Sequence, residues 1–70
     1  MMPRVRLRSS TLRSADYDRD ARTLQLEFTS GEVYRYFEVP EERFRSLVGA
    51  DSAGRYFASH IRDAFRYERV

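Results

Sequence analysis

The alternating stretch from Arg22 to Phe28 constrains the fold of this chain most. Leu24, Leu26 and Phe28 occupy every second position, and polar side chains lie between them. A period of two predicts a strand with one buried face, because successive side chains of a strand point to opposite faces. The backbone N–H and C=O groups of such a strand need partners. The sequence therefore predicts pairing with the segments on either side, Ser10 to Asp18 and Glu32 to Val39.

The loop after Phe28 decides which side chains face the core, because a one-residue slip exchanges the two faces. A two-residue loop would set Arg35 opposite Leu26 and bury an arginine. A three-residue loop, with Gly31 in the left-handed conformation, pairs Leu26 with Tyr34 instead. We therefore predict the second register, with Tyr34 and Tyr36 on the core face and Val33, Arg35 and Phe37 on the opposite face.

The first predicted strand contains a break in its alternation. Leu12 and Ala15 are three positions apart, which predicts a β-bulge. Residues 1–9 alternate arginines with Val5 and Leu7. This spacing is compatible both with a further strand and with a loose basic N-terminal arm.

Two helices are predicted after the third strand. Pro40 suits the first position of a helix that Gly49 ends, with Phe44, Leu47 and Val48 buried. Ser52 is predicted to cap a second helix that frays around Tyr67. Its core face holds Ala53, Phe57, Ile61, Ala64 and Phe65, and its opposite face holds Arg55, Ser59, Arg62, Arg66 and Arg69.

Together these elements predict an α+β fold. A three-stranded antiparallel β-meander is followed by two α-helices packed on one face of the sheet. Residues 1–70 are predicted to form a single domain, since the chain contains no repeats, low-complexity tracts or linker. Seventy residues are near the lower size limit for independent folding, which leaves little room for a large internal pocket.

Basic residues are concentrated towards the two ends of the chain, and all thirteen of them are arginine. Residues 1–13 carry four arginines and no acid, residues 14–51 carry five arginines and nine acids, and residues 52–70 carry four arginines and two acids. A guanidinium group suits bidentate contacts to phosphate and stacking on aromatic rings. Codon bias in a GC-rich genome also produces such a composition.

Side chains that carry catalysis or bind metals are scarce in the sequence. His60 is the only histidine, cysteine is absent, and no glycine-rich phosphate loop occurs. Asp16, Asp18 and Asp20 alternate, but they lack the glycine and distal glutamate of a calcium loop, so we expect a solvated turn. The sequence therefore predicts a non-enzymatic protein with no catalytic residues, metal site, cofactor or small-molecule substrate.

Two groups of residues are candidates for binding nucleic acid. Arg55, Arg62, Arg66 and Arg69 lie on one face of the predicted helix, a pattern typical of surfaces that follow a phosphate backbone but also of plain solvated faces. Arg35 and Phe37 lie on the predicted open side of the sheet. A cation beside an aromatic ring suits stacking on unpaired bases.

The chain contains several short motifs at defined spacings. They are Tyr34-Arg35-Tyr36 in the middle, Val39-Pro40 after it, and Ser52, Gly54 and Phe57 in a Ser-x-Gly-x-x-Phe pattern. With these motifs, the stretch from about Ser9 to Tyr67 resembles the KTSC domain. That family is named for its occurrence at the C-terminus of some lysyl-tRNA synthetases, and it also includes free-standing small bacterial proteins. The resemblance implies a fold and RNA as a ligand class, but it carries over no catalytic residues.

The leading functional hypothesis is a non-enzymatic module that binds RNA or another single-stranded nucleic acid. The alternative is a protein-interaction module that uses the open sheet face or an edge strand. No apolar run has the length of a signal peptide core or a membrane span, so we expect a cytoplasmic protein without membrane contact.

Overall fold

The computed structural model describes residues 4–70. In this range five strands form one antiparallel sheet in sequence order, and two helices lie between the fourth and fifth strands in the chain. The predicted α+β class and the two helices on an antiparallel sheet are confirmed, whereas the predicted number of three strands is wrong. The elements are β1 (Arg4–Arg6), β2 (Leu12–Asp18), β3 (Thr23–Phe28), β4 (Val33–Tyr36), α1 (Glu41–Gly49), α2 (Ala53–His60) and β5 (Tyr67–Arg69).

The β3–β4 hairpin has the predicted register. Leu26 lies opposite Tyr34, and Leu24 lies opposite Tyr36. Gly31 has a φ of 98°, a left-handed conformation that glycine adopts without a steric penalty. The three-residue loop is thus confirmed, and it places the ring of Tyr36 in the core, where the residue is only 2% exposed.

Strand β2 carries the predicted bulge. Its register against β3 shifts between Leu12 and Ser14, and both Leu12 and Ala15 are therefore fully buried. The strand ends at Asp18, whose Oδ1 accepts a hydrogen bond from the backbone N–H of Asp20 at 3.1 Å. This side-chain bond closes the exposed turn that leads into β3.

The N-terminal arginine-rich segment contributes an edge strand. Residues Arg4–Arg6 form β1 and pair with β2, with Val5 opposite Ala15. Of the two interpretations of residues 1–9, the strand is therefore correct for Arg4–Arg6, because backbone pairing with β2 holds it on the sheet. Residues 1–3 lie outside the part of the chain that the structure describes.

The second helix is shorter than predicted. It ends at His60, and the carbonyl of Phe57 accepts hydrogen bonds from the N–H groups of both Ile61 (3.0 Å) and Arg62 (2.9 Å). Ile61 leaves helical geometry, with φ −122° and ψ −48°, while its side chain stays fully buried. The predicted continuation towards Tyr67 is therefore wrong.

The residues after this turn form the fifth strand. In this strand Tyr67 lies opposite Tyr36. Backbone hydrogen bonds flank the strand at both ends, from Phe37 N–H to the Arg66 carbonyl (2.9 Å) and from Val70 N–H to the Val33 carbonyl (2.8 Å). Without β5, strand β4 would leave its outer N–H and C=O groups unpaired. Pairing with β4 thus competes with helix continuation and prevails.

Both helices pack on the face of the sheet that holds the leucines. Pro40 is the N-cap of α1 rather than its first helical residue, and Gly49 is its last residue. The Oγ of Ser52 accepts a hydrogen bond from Arg55 N–H at 3.2 Å, which confirms the predicted cap of α2. The buried core consists of Leu12, Ala15, Tyr17, Leu24, Leu26, Tyr36, Val39, Phe44, Leu47, Ala53, Phe57 and Ile61.

Neither α1 nor α2, the helices found in residues 4–70, has the length and apolar character that crossing a membrane requires.

Candidate nucleic-acid interface

The six residues predicted to bind nucleic acid do not share one surface. Because α2 ends at His60, only Arg55 of the four arginines lies in the helix. Arg62 lies in the turn that follows, Arg66 directly precedes β5, and Arg69 is in β5. The predicted helical stripe of four arginines is therefore wrong as a geometric unit.

Arg35 lies on the side of the sheet opposite the helices, which we call the open face. A row of residues crosses all five strands there, in the order Arg4, Asp16, Gln25, Arg35 and Glu68. Within this row Arg4 Nε lies 3.5 Å from Asp16 Oδ2, and Arg35 contacts Gln25 Oε1 at 3.2 Å and Glu68 Oε2 at 3.4 Å. Arg35, the arginine predicted to bind nucleic acid on this face, is thus already hydrogen-bonded and ion-paired within the sheet.

Phe37 and Arg66 contact each other at the β4–β5 end of the sheet. The guanidinium carbon of Arg66 lies 5.1 Å from the centroid of the Phe37 ring, a cation–π arrangement. This contact joins one residue from the sheet prediction with one from the helix prediction. It also occupies the ring that was predicted to stack on bases.

A cleft lined mostly by aromatic rings lies on the helix-bearing side, where β4 and β5 meet the end of α2. Its volume is about 280 Å³. It contains Tyr34 and Tyr36, the two tyrosines of the Tyr-x-Tyr motif, and one of the predicted arginines, Arg62. We call it the aromatic cleft, and its lining residues are Thr11, Phe28, Glu32, Tyr34, Tyr36, Phe57, Arg62 and Tyr67.

The rings of the aromatic cleft are arranged around Tyr67. This ring stacks on Tyr34 with centroids 5.5 Å apart and planes at 19°, and it lies 5.3 Å from Tyr36 at 33°. Phe57 meets Tyr36 and Phe28 edge to face at 5.7 Å and 5.4 Å. Tyr67 remains 52% exposed, so part of its ring faces solvent, whereas the rings of Tyr36 and Phe57 beneath are buried.

The hydroxyl of Tyr36 stays protonated over the whole physiological range. Its pKa is raised to about 12, mainly by burial and to a lesser extent by the neighbouring phenols of Tyr67 and Tyr34, while Arg62 opposes the shift. A neutral phenol both donates and accepts hydrogen bonds. The aromatic cleft therefore keeps a neutral polar group at its base rather than an anion.

Two charged side chains of opposite sign line the aromatic cleft. Arg62 is 59% exposed, and its 4.0 Å contact with Asp63 is the longest ion pair found among residues 4–70. Glu32 Oε2 lies 3.6 Å from Arg69 Nη2. The cleft thus offers a weakly engaged guanidinium and a carboxylate beside stacked rings, which suits a flat ligand with polar edges and an adjacent negative charge.

The geometry does not assemble a metal-binding cluster within residues 4–70. No group of three or more histidine, cysteine, aspartate or glutamate side chains in this range has the spacing to hold a metal ion. His60 is exposed, and its ring lies 4.5 Å from that of Tyr56.

Tyr67, Phe28 and Glu32 belong to the aromatic cleft but were not predicted as site residues. Tyr67 was assigned to a fraying helix, which hid its place next to Tyr34. One signal in the sequence pointed to the correct structure, because Glu68 would have fallen on the apolar side of a continued helix.

Comparison with known proteins agrees with this architecture. A crystal structure described as a KTSC domain protein from Yersinia pestis superposes with a TM-score of 0.95 at 33% identity, covering 100% of this chain and 99% of the other. An uncharacterized protein of Stutzerimonas stutzeri is 46% identical over 70 residues, which are 99% of each chain.

Longer proteins contain a similar sequence as a small part of their length. The lysine–tRNA ligase of Nostoc sp. is 37% identical over 68 residues, which are 97% of this chain but 12% of the ligase. Residues 8–65 match the KTSC domain family. The protein described here is thus a member of the KTSC domain family.

Proposed function

We propose that this domain is a non-enzymatic module that binds single-stranded RNA, with the aromatic cleft as its binding site. The observation that carries this proposal is the exposed ring of Tyr67, stacked on Tyr34 beside the guanidinium of Arg62 in one cleft. Proteins bind unpaired bases by combining aromatic platforms with basic side chains that contact the backbone.

The size of the aromatic cleft suits one nucleotide rather than a larger ligand. Its volume of about 280 Å³ lies just below the range of about 300–1,000 Å³ that is usual for drug-sized molecules. The ring of Tyr67, one of its lining residues, is 52% exposed, so an unpaired base can reach it from solvent. A duplex has no splayed bases to insert, so we expect the single strand to bind more tightly.

Arg62 supports the proposal as the residue that contacts phosphate. It lines the cleft, and its 4.0 Å contact with Asp63 is the longest of the ion pairs that Arg35, Arg62 and Arg69 make. Arg35 is paired with Glu68 at 3.4 Å, and Arg66 makes a cation–π contact with Phe37. Among the relatives, the lysine–tRNA ligases are proteins named for an RNA, which supports the choice of RNA over DNA.

A titration of the purified domain with single-stranded RNA at several salt concentrations tests the proposal. Each phosphate contact contributes about −0.7 to the slope of log K against log salt for a single strand. The variant Arg62→Gln should flatten the slope by about that amount and weaken binding to all sequences alike. The matched control is Arg35→Gln, which removes one arginine from the open face and should leave the slope unchanged.

The alternative function is a protein-interaction module that extends its sheet with a partner. It is favoured by β5, an edge strand whose three residues are all exposed. If RNA binding is undetectable at low salt, or if Arg62→Gln and Arg35→Gln affect binding equally, the RNA proposal is wrong. A specific protein partner retained from a cell extract after nuclease treatment would then support the alternative.

A further inference from the structure

We infer that the aromatic cleft prefers guanine, and that Glu32 is the residue that selects it. This inference rests on the proposed function, because it names the base that the RNA-binding cleft takes. The relevant features are a carboxylate among the lining residues, the position of Arg69 beside it and the location of Arg62 in the same cleft.

Glu32 retains acceptor capacity for a ligand. Its Oε1 lies 3.4 Å from Ser30 Oγ and its Oε2 lies 3.6 Å from Arg69 Nη2, and both distances are long for hydrogen bonds. Two carboxylate oxygens together provide about four acceptor positions. The side chain is 43% exposed, so a ligand in the cleft has access to it.

Arg69 restrains the carboxylate of Glu32. Glu32 directly precedes β4, and Arg69 lies in the neighbouring strand β5, opposite Tyr34. Their contact therefore ties the carboxylate to the sheet beside the Tyr34 ring. A base stacked in the cleft would meet this carboxylate with one of its polar edges.

The chemistry of the base edges then decides the preference. A carboxylate accepts two parallel N–H bonds best, and guanine presents two adjacent donors, N1–H and the N2 amino group. Adenine and cytosine each offer an amino group beside a ring nitrogen that accepts, and this lone pair faces the carboxylate. Uracil presents one N–H between two carbonyl oxygens, which a carboxylate repels.

Arg62 completes the recognition of a guanine nucleotide by contacting its phosphate. In this cleft, Arg62 contacts the phosphate backbone and Glu32 contacts the edge of the base. A purely basic cleft would bind every base alike, because phosphate contacts position a ligand without specifying it. The carboxylate adds the specificity.

Binding of short single-stranded RNAs that differ only at one central base tests this inference. The RNA with a central guanine should bind about tenfold more tightly than the RNA with adenine, as expected for one bidentate base contact. Inosine keeps N1–H but lacks the N2 amino group, so it should fall between the two. This comparison uses the unaltered protein and does not depend on the folding of a variant.

The variant Glu32→Gln provides the second arm. An amide replaces one acceptor oxygen by a donor, so the guanine preference should disappear while binding to the adenine RNA is retained. Glu27→Gln is the matched control, because Glu27 lies on the open face in contact with Arg13 and should not affect base preference. Circular dichroism of both variants verifies the fold.

The outcomes separate the two proposals. If the unaltered protein binds the guanine, adenine and inosine RNAs equally, or if Glu32→Gln keeps the guanine preference, the inference is overturned and the RNA-binding proposal stands. If none of the RNAs binds at low salt, the RNA-binding proposal fails and the guanine inference fails with it.

Discussion

The two sides of the sheet use their charged residues differently. On the open face, both arginines of the row from Arg4 to Glu68 lie within 3.5 Å of a carboxylate, Arg4 beside Asp16 and Arg35 beside Glu68. In the aromatic cleft, stacked rings lie beside Arg62, whose contact with Asp63 extends to 4.0 Å. The comparison shows that arginines of similar sequence context differ in how closely they are paired, and our proposal of the aromatic cleft as the binding surface rests on this difference.

Phe57→Ala should have the largest effect, because Phe57 is 6% exposed and supports the rings of Tyr36 and Phe28. Truncation of a buried phenylalanine costs about 3–5 kcal/mol, against a total stability of about 5 kcal/mol for a small domain. Chemical denaturation should show a largely unfolded variant. The control Phe37→Ala, on the open face, should remain folded, and similar losses in both variants would contradict the assigned core.

Tyr67→Ala should weaken RNA binding without unfolding the domain. Loss of one stacking ring reduces the binding free energy by about 1–3 kcal/mol, and Tyr67 is 52% exposed, so the core is preserved. Fluorescence anisotropy with labelled single-stranded RNA measures the change. The control Phe37→Ala removes an aromatic ring from the other side of the sheet and should leave the affinity for RNA unchanged. If Phe37→Ala weakens binding and Tyr67→Ala does not, the binding site lies on the open face.

The stability of the aromatic cleft should depend on pH in the alkaline range. The pKa of Tyr36 rises from 10.0 in the unfolded chain to about 12 in the folded protein, so the folded state favours the neutral phenol. This contribution is complete below pH 10 and is lost as the pH rises from about 10 to about 12. The free energy of unfolding should therefore fall over this range.

The variant Tyr36→Phe isolates that contribution. Without the hydroxyl, the decline in unfolding free energy between pH 10 and 12 should become shallower than in the unaltered protein. Denaturant titrations at several pH values measure both curves. Parallel curves would mean that the alkaline dependence comes from other tyrosines.

The smallest effect is expected on the open face. Arg35→Gln removes the 3.4 Å ion pair with Glu68, a contact between partly exposed side chains that is worth no more than about 1 kcal/mol. The midpoint of thermal unfolding should change little. A large loss of stability would show that the charged row across the sheet holds the five strands together.

The sequence predicted the parts of the fold that depend on neighbouring residues. The β3–β4 register followed from excluding Arg35 from the core, and the cap at Ser52 followed from its side chain. Strand β5 depends on a contact between Tyr67 and Tyr36, which are separated in the chain by both helices. Local periodicity around Ile61 favoured helix, and only tertiary pairing with β4 reverses that preference.

Less of the candidate site than of the fold could be predicted, because the site is formed by residues that are distant in the sequence. Arg62 was identified as a basic residue that suits phosphate, but its neighbours in the aromatic cleft come from distant segments, including Thr11 and Phe28. The contacts of Arg35 with Glu68 and of Arg66 with Phe37 also arise only when β5 joins the sheet. Pairing partners of charged side chains are a property of the folded chain and could not be inferred from their spacing.

Mapping the RNA contact by NMR tests the central claim most directly. Amide spectra of the labelled domain, recorded during titration with single-stranded RNA, should show the largest shifts at Tyr34, Arg62 and Tyr67 around the aromatic cleft. Residues of the open face, such as Asp16 and Arg35, should change little. Shifts confined to the open face, or no shifts at low salt, would contradict the assignment of the aromatic cleft as the RNA-binding site.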